Sequence, residues 1–353
     1  MNADIPAAGQ KVATSGGLAM ILAADVGGTS SRIGVFQVDH GRLRPVIEEV
    51  YASGEHRGLE EIVRAFLSTH RPQVDRACFA VAGPVIGARS EAPNLPWTVD
   101  ARALARVLNL PTVGLLNDLE ANAHGIPGLL DEAFLVLNAG SPGATGNRAV
   151  IAAGTGLGEA GIYWDGREHR PFAGEGGHTD FAPRTDLEVE LLLHLRRTLG
   201  PHVSWERVVS GPGLAAIYGF LRDSGRGVEP SWLRDALEAG DPPAVISRAA
   251  QDGTSELCAR ALDVFVSAYG AEAGNLALKV LATGGVYLGG GIAPKIAETL
   301  TRGTFMDAFV AKGRLKRLLE AIPVRVILND RAALLGAARW TALQASLTGT
   351  GAS

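Results

Sequence analysis

Apolar residues in this chain come in short, nearly continuous runs broken by glycine turns. The run over residues 22–38, LAADVGGTSSRIGVFQV, reads strand, turn, strand, and so does the run over 149–164, AVIAAGTGLGEAGIYW. In the first part of the chain, strands are predicted over 18–24, 32–38, 77–82 and 112–116, with helical spacing over 59–70 and 100–108. That alternation is α/β organisation. From residue 132 the pattern restarts, with strands over 133–137, 149–153 and 161–164 and longer helices over 187–199, 231–239 and 254–271. A short apolar strand follows inside GGVYLGGGIAPKI, then a strand over 324–328 and a last helical stretch, RAALLGAARWTALQ, placed to pack back on the first domain. The restart predicts an internally duplicated chain. The expected layout is an unordered lead over 1–18, a small α/β domain over 19–128 plus 329–345, a larger one over 129–328, and a flexible tail over 346–353.

The glycine turns suggest the chemistry. Gly27, Gly28 and Thr29 let backbone N–H groups approach an anion without Cβ interference, Thr29 adds a hydroxyl, and Asp25 at the strand exit can hold a hydrated Mg²⁺. An ordinary hairpin turn has the same composition. The second turn, Gly154, Thr155 and Gly156, weighs against that plainer reading, because two such turns in a duplicated chain can grip one polyphosphate. Residues 156–161 also match G-x-G-x-x-G. A dinucleotide fold needs a helix to start inside that motif, whereas GIYWDGR continues as a β-like run closing in a turn. No Gly-Lys dipeptide occurs, which excludes a Walker A loop, and the HRD and DFG signatures of protein kinases are missing.

Composition narrows the class further. At 353 residues and 46% hydrophobic, the chain can bury two cores. A net charge of −4 without a basic block leaves no footprint for nucleic acid, and KGRLKRLL over 312–319 reads as the solvated face of a helix. Cys78 and Cys258 are the only cysteines, which suits a reducing, cytoplasmic setting. No apolar run approaches the ~18 residues of a membrane span.

Candidate polar groups stand at element ends. Asn117 and Asp118 follow an apolar strand and precede a helical stretch; a ligand-facing carboxylate and a helix N-cap are both open there. Glu175 and His178 lie in AGEGGHTDF, where three glycines leave them free to reach a small molecule. The Glu-x-x-His spacing needs more ligands and a helical frame to hold metal. Glu206, beside Arg207, is either a ligand or half of a surface pair. Carboxylates, an amide and an imidazole beside two phosphate turns suit a polyol, whose adjacent hydroxyls each need an acceptor. The pattern points to a sugar kinase.

The order DVGGTSSR, NLPW, LLNDLEANAHGI, GTGLGEA, GEGGHTDFAPR, ERVVSGPG, GGVYLGGGI and LLGAA resembles the bacterial glucokinase family of the actin-like ATPase superfamily, over residues 20–343. The resemblance implies two actin-like (ribonuclease H-like) α/β domains with a cleft between them, closing over the sugar, and usually a homodimer. It implies Asp118 as general base on the glucose 6-hydroxyl, with Asn117, Glu175, His178 and Glu206 on ring hydroxyls and Asn94 as a further sugar-side residue. Asp25, Gly27, Gly28 and Thr29 would face the phosphates of ATP and its Mg²⁺. Gly154, Thr155 and Gly156 would clasp the phosphates, and Gly289, Gly290 and Gly291 would line the adenosine pocket. Related ROK kinases carry a cysteine-rich zinc motif, so two distant cysteines imply no structural zinc here. Ser30 and Ser31 stand where asparagine and alanine are expected. Other readings are a kinase for mannose, fructose or glucosamine, a non-kinase actin-like ATPase, and a sugar-responsive repressor, for which the leading residues offer no helix-turn-helix.

Overall fold

The computed structural model describes residues 5–6, 19–39, 42–91 and 97–349. The chain divides into two compact units, residues 1–131 with 329–353 and residues 132–328.

In the first unit the strands Ala19–Val26, Ser30–Asp39 and Arg42–Ala52 form an antiparallel meander. Arg76–Val81 and then Gly114–Asn117 add in parallel beside the first strand. The short strand Ile5–Pro6 pairs with the outer edge of the meander; the rest of 1–18, and 350–353, lie outside the described residues. Central strands covered on both faces must be apolar throughout. Ile21 and Ala23 therefore face one core, with Leu116, Leu334 and Ala338, while Leu22 and Ala24 face another, with Ile62, Phe66 and Leu104.

The second unit repeats this plan. Arg148–Ala153, Leu157–Trp164 and His169–Gly174 form the meander, and Gly285–Gly289 and Val324–Ile327 add in parallel beside the first strand. Phe134–Asn138 extends that edge. Both sheets thus run third, second, first, fourth, fifth strand, which is the internal duplication expected from the repeated glycine hairpins. A strand, not a helix, follows Gly156, so the dinucleotide-binding reading is out. Helices Gly211–Asp223, Glu256–Lys279 and Thr304–Val310 build the core of this unit around Ile151, Tyr269, Phe265 and Phe305.

Three details differ from the sequence reading. The helix expected over 254–271 runs on through Glu256–Lys279, because its apolar spacing continues past a pair of glycines that the packing requires. At Gly270 and Gly274 a Cβ would overlap the backbone of Phe305 and Phe309. The stretch 312–319 is not one helix but a 3-10 turn, Gly313–Leu315, running into the five-residue helix Lys316–Glu320, and Lys312 does not lie on a solvated face: its Nζ donates to Ala271 O (2.9 Å) and Asn275 Oδ1 (2.5 Å). The strand Arg42–Ala52 is not evident from the sequence, since Pro45, Glu48 and Glu49 interrupt its apolar pattern. A bulge between Val35 and Phe36 takes up the proline.

The last helix, Ala332–Gly349, packs on Asp118–Gly125 in the first unit, as the sequence suggests. Two glycines let the backbones meet. A Cβ at Gly336 would overlap Ala121 O, and one at Gly125 would overlap Ala332 O. Gly336→Ala is expected to destabilise the protein by about 1–3 kcal/mol through overpacking, seen as a lower Tm in thermal unfolding; an unchanged Tm would refute this close crossing.

Candidate active site

Parallel strands put their C-terminal ends at one sheet edge, where α/β proteins hold ligands. In the first unit that edge carries the Gly27, Gly28 and Thr29 turn after Ala19–Val26, and Asn117 and Asp118 after Gly114–Asn117. Gly27 N donates to Ser30 O (3.0 Å) to close the turn, and Ser53 Oγ donates to Gly27 O (2.7 Å). Ser31 Oγ lies 2.9 Å from Ser53 Oγ, and both serines are fully buried. The departure from the family pattern at Ser31 therefore has a structural role: its hydroxyl braces the serine that fixes the turn.

Asp25 lies beside Arg32 and Asp330. Burial pushes its carboxyl up to about 6, Arg32 opposes the rise, and the Asp330 charge adds to it. Arg32 itself pairs with Asp330 (Nη2 to Oδ2, 2.7 Å) and Glu48 (Nε to Oε1, 3.7 Å).

At the end of the fifth strand, the cap belongs to Asn117. Its Oδ1 accepts from Leu119 N (2.9 Å) and Glu120 N (3.3 Å), while Nδ2 donates to Gly83 O (3.1 Å). The N-cap alternative for Asp118 is thereby corrected: Asn117 holds that position, and Asp118 is the half-buried first residue of Asp118–Gly125. A carboxylate there also gains from the helix N-terminus.

In the second unit the same edge gathers more groups. Gly154 N donates to Gly156 O (2.8 Å) across the Thr155 turn, and Gly211 N, at the start of a helix capped by Ser210, donates to Gly154 O (2.8 Å). Gly290, with φ +78°, packs against Ala153, and Ile292 N donates to Ala153 O (3.1 Å). Gly289, Gly290 and Gly291 are thus anchored next to Gly154. Only a glycine takes that φ without strain, and a Cβ at Gly290 would also overlap Ala153 O.

Glu175 precedes the short helical turn Gly176–His178. The two side chains lie 3.9 Å apart, Glu175 Oε2 to His178 Nε2, and both are more than half exposed. The turn is pressed on the strand beneath it, for a Cβ at Gly177 would overlap Leu157 O. Glu206 is not half of a surface pair: its Oε2 accepts from Leu157 N (3.1 Å), and a Cβ at Gly156 would come within 2.5 Å of the same oxygen. Gly154, Thr155, Gly156, Glu175, His178 and Glu206 therefore share one edge of the second unit. Asn94 lies outside the described residues.

The sequence reading named Ser31 without its role and missed Ser53, Asp330 and Glu159. Glu159 stood inside the GTGLGEA run, and its buried neighbour Glu272 is a lone acid amid apolar helix positions, a signal that was there to be read.

Two ribonuclease H-like sheets, each with a glycine turn at its parallel-strand edge, and a set of carboxylates, an amide and an imidazole on those edges define an actin-like sugar kinase. The glucokinase family model matches residues 22–344, and the chain belongs to that family. Its sequence is 41% identical over 339 residues to the glucokinase of Trichormus variabilis, covering 91% of this chain and 98% of that one. It is 42% identical over 342 residues to that of Synechocystis sp., covering 90% and 96%. The crystal structure of a glucokinase from an Antarctic psychrotroph superposes with a TM-score of 0.77 at 31% identity, covering 91% of this chain and 98% of that one. A ROK family glucokinase from Streptomyces griseus, in complex with glucose and AMPPNP, shares the fold, with a TM-score of 0.62 at 23% identity and coverage of 92% and 99%.

Proposed function

We propose that the ATP-dependent phosphorylation of glucose, which membership of the glucokinase family assigns to this chain, takes place at the 6-hydroxyl with Asp118 as general base. The observation that carries this is at Asn117: it caps the helix, which sets Asp118 at a strand's C-terminal end as the first helical residue, where its Oδ1 accepts from Leu119 N (2.9 Å). In a loose phosphoryl-transfer transition state the protein mainly aligns the hydroxyl and spreads phosphate charge, while one carboxylate takes the hydroxyl proton. Asn117 binds sugar hydroxyls beside the base, and Glu175, His178 and Glu206 bind the rest; Asn94 is a further sugar-side residue. Gly27, Gly28 and Thr29, and likewise Gly154, Thr155 and Gly156, present backbone N–H groups to the phosphates of ATP. Gly289, Gly290 and Gly291 line the adenosine.

The donor set suits Mg²⁺. Among the described residues no three His, Cys, Asp or Glu stand close enough to cage a metal, and a single carboxylate is what an ion keeping its waters and the nucleotide phosphates needs. Asp25, at the exit of the strand that leads into the Gly27, Gly28 and Thr29 turn, would hold it through water. The ion supplies charge neutralisation between the phosphates. A homodimer follows the family pattern, and two buried free cysteines suit the cytoplasm. Among the described residues no helix is long and apolar enough to cross a membrane.

A coupled assay tests this reading. ADP should form only when glucose is present, EDTA should stop turnover without lowering Tm, and added Mg²⁺ should restore it at once. A Tm that falls on chelation would instead mark a structural metal, whose binding energy is folding energy.

A further inference from the structure

Beneath the turn that carries Glu175 and His178 lies a buried acid with no part in the roles assigned above. Glu159, 3% exposed, sits on Leu157–Trp164 opposite Ile151, so its side chain shares the helix-covered face with that core residue. There it meets Glu272 of Glu256–Lys279, which is 0% exposed. The oxygens of Glu272 are occupied: Oε2 accepts from Asn275 Nδ2 (2.7 Å) and Oε1 from Lys279 Nζ (2.9 Å). Among the described residues, Glu159 Oε1 has no hydrogen-bond partner. Its Oε2 bears on the turn itself, so closely that a Cβ at Gly176 would overlap it. An ionised carboxylate cannot lie buried against a second one without donors. A proton between them resolves both the repulsion and the orphaned oxygen.

We propose that Glu159 is a positioning residue for the turn presenting Glu175 and His178, and that it works in its neutral form, giving its proton in a hydrogen bond to Glu272. The inference rests on the reading that this turn binds the sugar. A neutral, hydrogen-bonded acid forms a fixed floor for Gly176, while Leu157 O fixes Gly177 beside it. Ionisation would set two adjacent buried charges against each other and press the floor out of place.

The pH range follows from the surroundings. Burial lifts Glu159 to about 8, with the Glu272 charge adding and Lys279 opposing. Because its folded-state pKa is raised, the native protein keeps this proton while the unfolded chain loses it. The group therefore lowers stability progressively as pH climbs from the ordinary carboxyl range to about 8. From the helix, Glu272, Lys279 and Tyr269 reach Glu159, and on the turn Glu175 and His178 stand on either side of Gly176, which Glu159 Oε2 abuts; the facing strand positions, Ile151 and Gly174, carry no charge. Lys312, also held near 8 by burial, is bonded to Ala271 and Asn275 and not to the turn.

The test is the KM and kcat for glucose, measured on the full chain across neutral to alkaline pH, for wild type, Glu159→Gln and Glu175→Gln. If only the neutral form presents the turn, wild-type KM should rise about tenfold one pH unit above the transition, because apparent affinity scales with the competent fraction. The kcat at saturating glucose and the KM for ATP should hold. Glu159→Gln, whose amide can donate to Glu272 at any pH, should keep the neutral-pH KM and lose the alkaline rise. A flat wild-type profile, or a rise that persists in Glu159→Gln, overturns the inference. If Glu175→Gln leaves the KM for glucose unchanged, the sugar assignment of the turn falls and the inference with it. A raised KM in Glu175→Gln together with a persistent alkaline rise in Glu159→Gln overturns the positioning role alone.

Discussion

Asp118→Asn should cut kcat by about 10²–10⁴, the usual scale for a lost general base, while fold and glucose affinity stay close to wild type. Affinity should survive because an amide of the same shape still hydrogen-bonds a hydroxyl. The fold should survive because Asn117, not Asp118, caps the helix Asp118–Gly125. Removing the charge from the first helical turn costs only about 0.3–1 kcal/mol. Steady-state kinetics with circular dichroism on the same samples checks both halves. A variant with near-wild-type kcat would leave Asp118 as a helix-dipole residue and nothing more.

Loss of sugar contacts should separate from loss of chemistry. Glu175→Gln and His178→Ala are each expected to raise the KM for glucose about five- to hundredfold, since a sugar hydroxyl deprived of its partner costs about 1–3 kcal/mol. The KM for ATP should change less. Both side chains are more than half exposed, and neither lies in a core, so Tm should not move. An equal rise in both KM values would put the Gly176–His178 turn on the nucleotide side.

Local chemistry made much of this legible in the sequence. The hairpin over residues 22–38 could be read because strand periodicity and turn glycines coincide there, and its echo over 149–164 revealed the duplication that the two sheet orders share. The helix Leu59–His70 was readable from apolar spacing alone. What stayed hidden depends on contacts between distant segments. Ser31 looks like a conservative departure until Ser53 is beside it, and Glu206 looks like a surface residue until Leu157 N–H is found on its carboxylate. The cap could not be divided between Asn117 and Asp118 by spacing, because both residue types cap helices well. Glu159 and Glu272 stand far apart in the chain, and only the packing of a helix on a sheet shows that they form a pair.

The most direct measurement is ³¹P NMR of the purified protein with Mg-ATP and glucose. The account predicts that ADP and glucose 6-phosphate appear together in equal amounts, with negligible inorganic phosphate. Release of ADP and inorganic phosphate without a sugar phosphate, or a phosphate on any hydroxyl but the sixth, would contradict it.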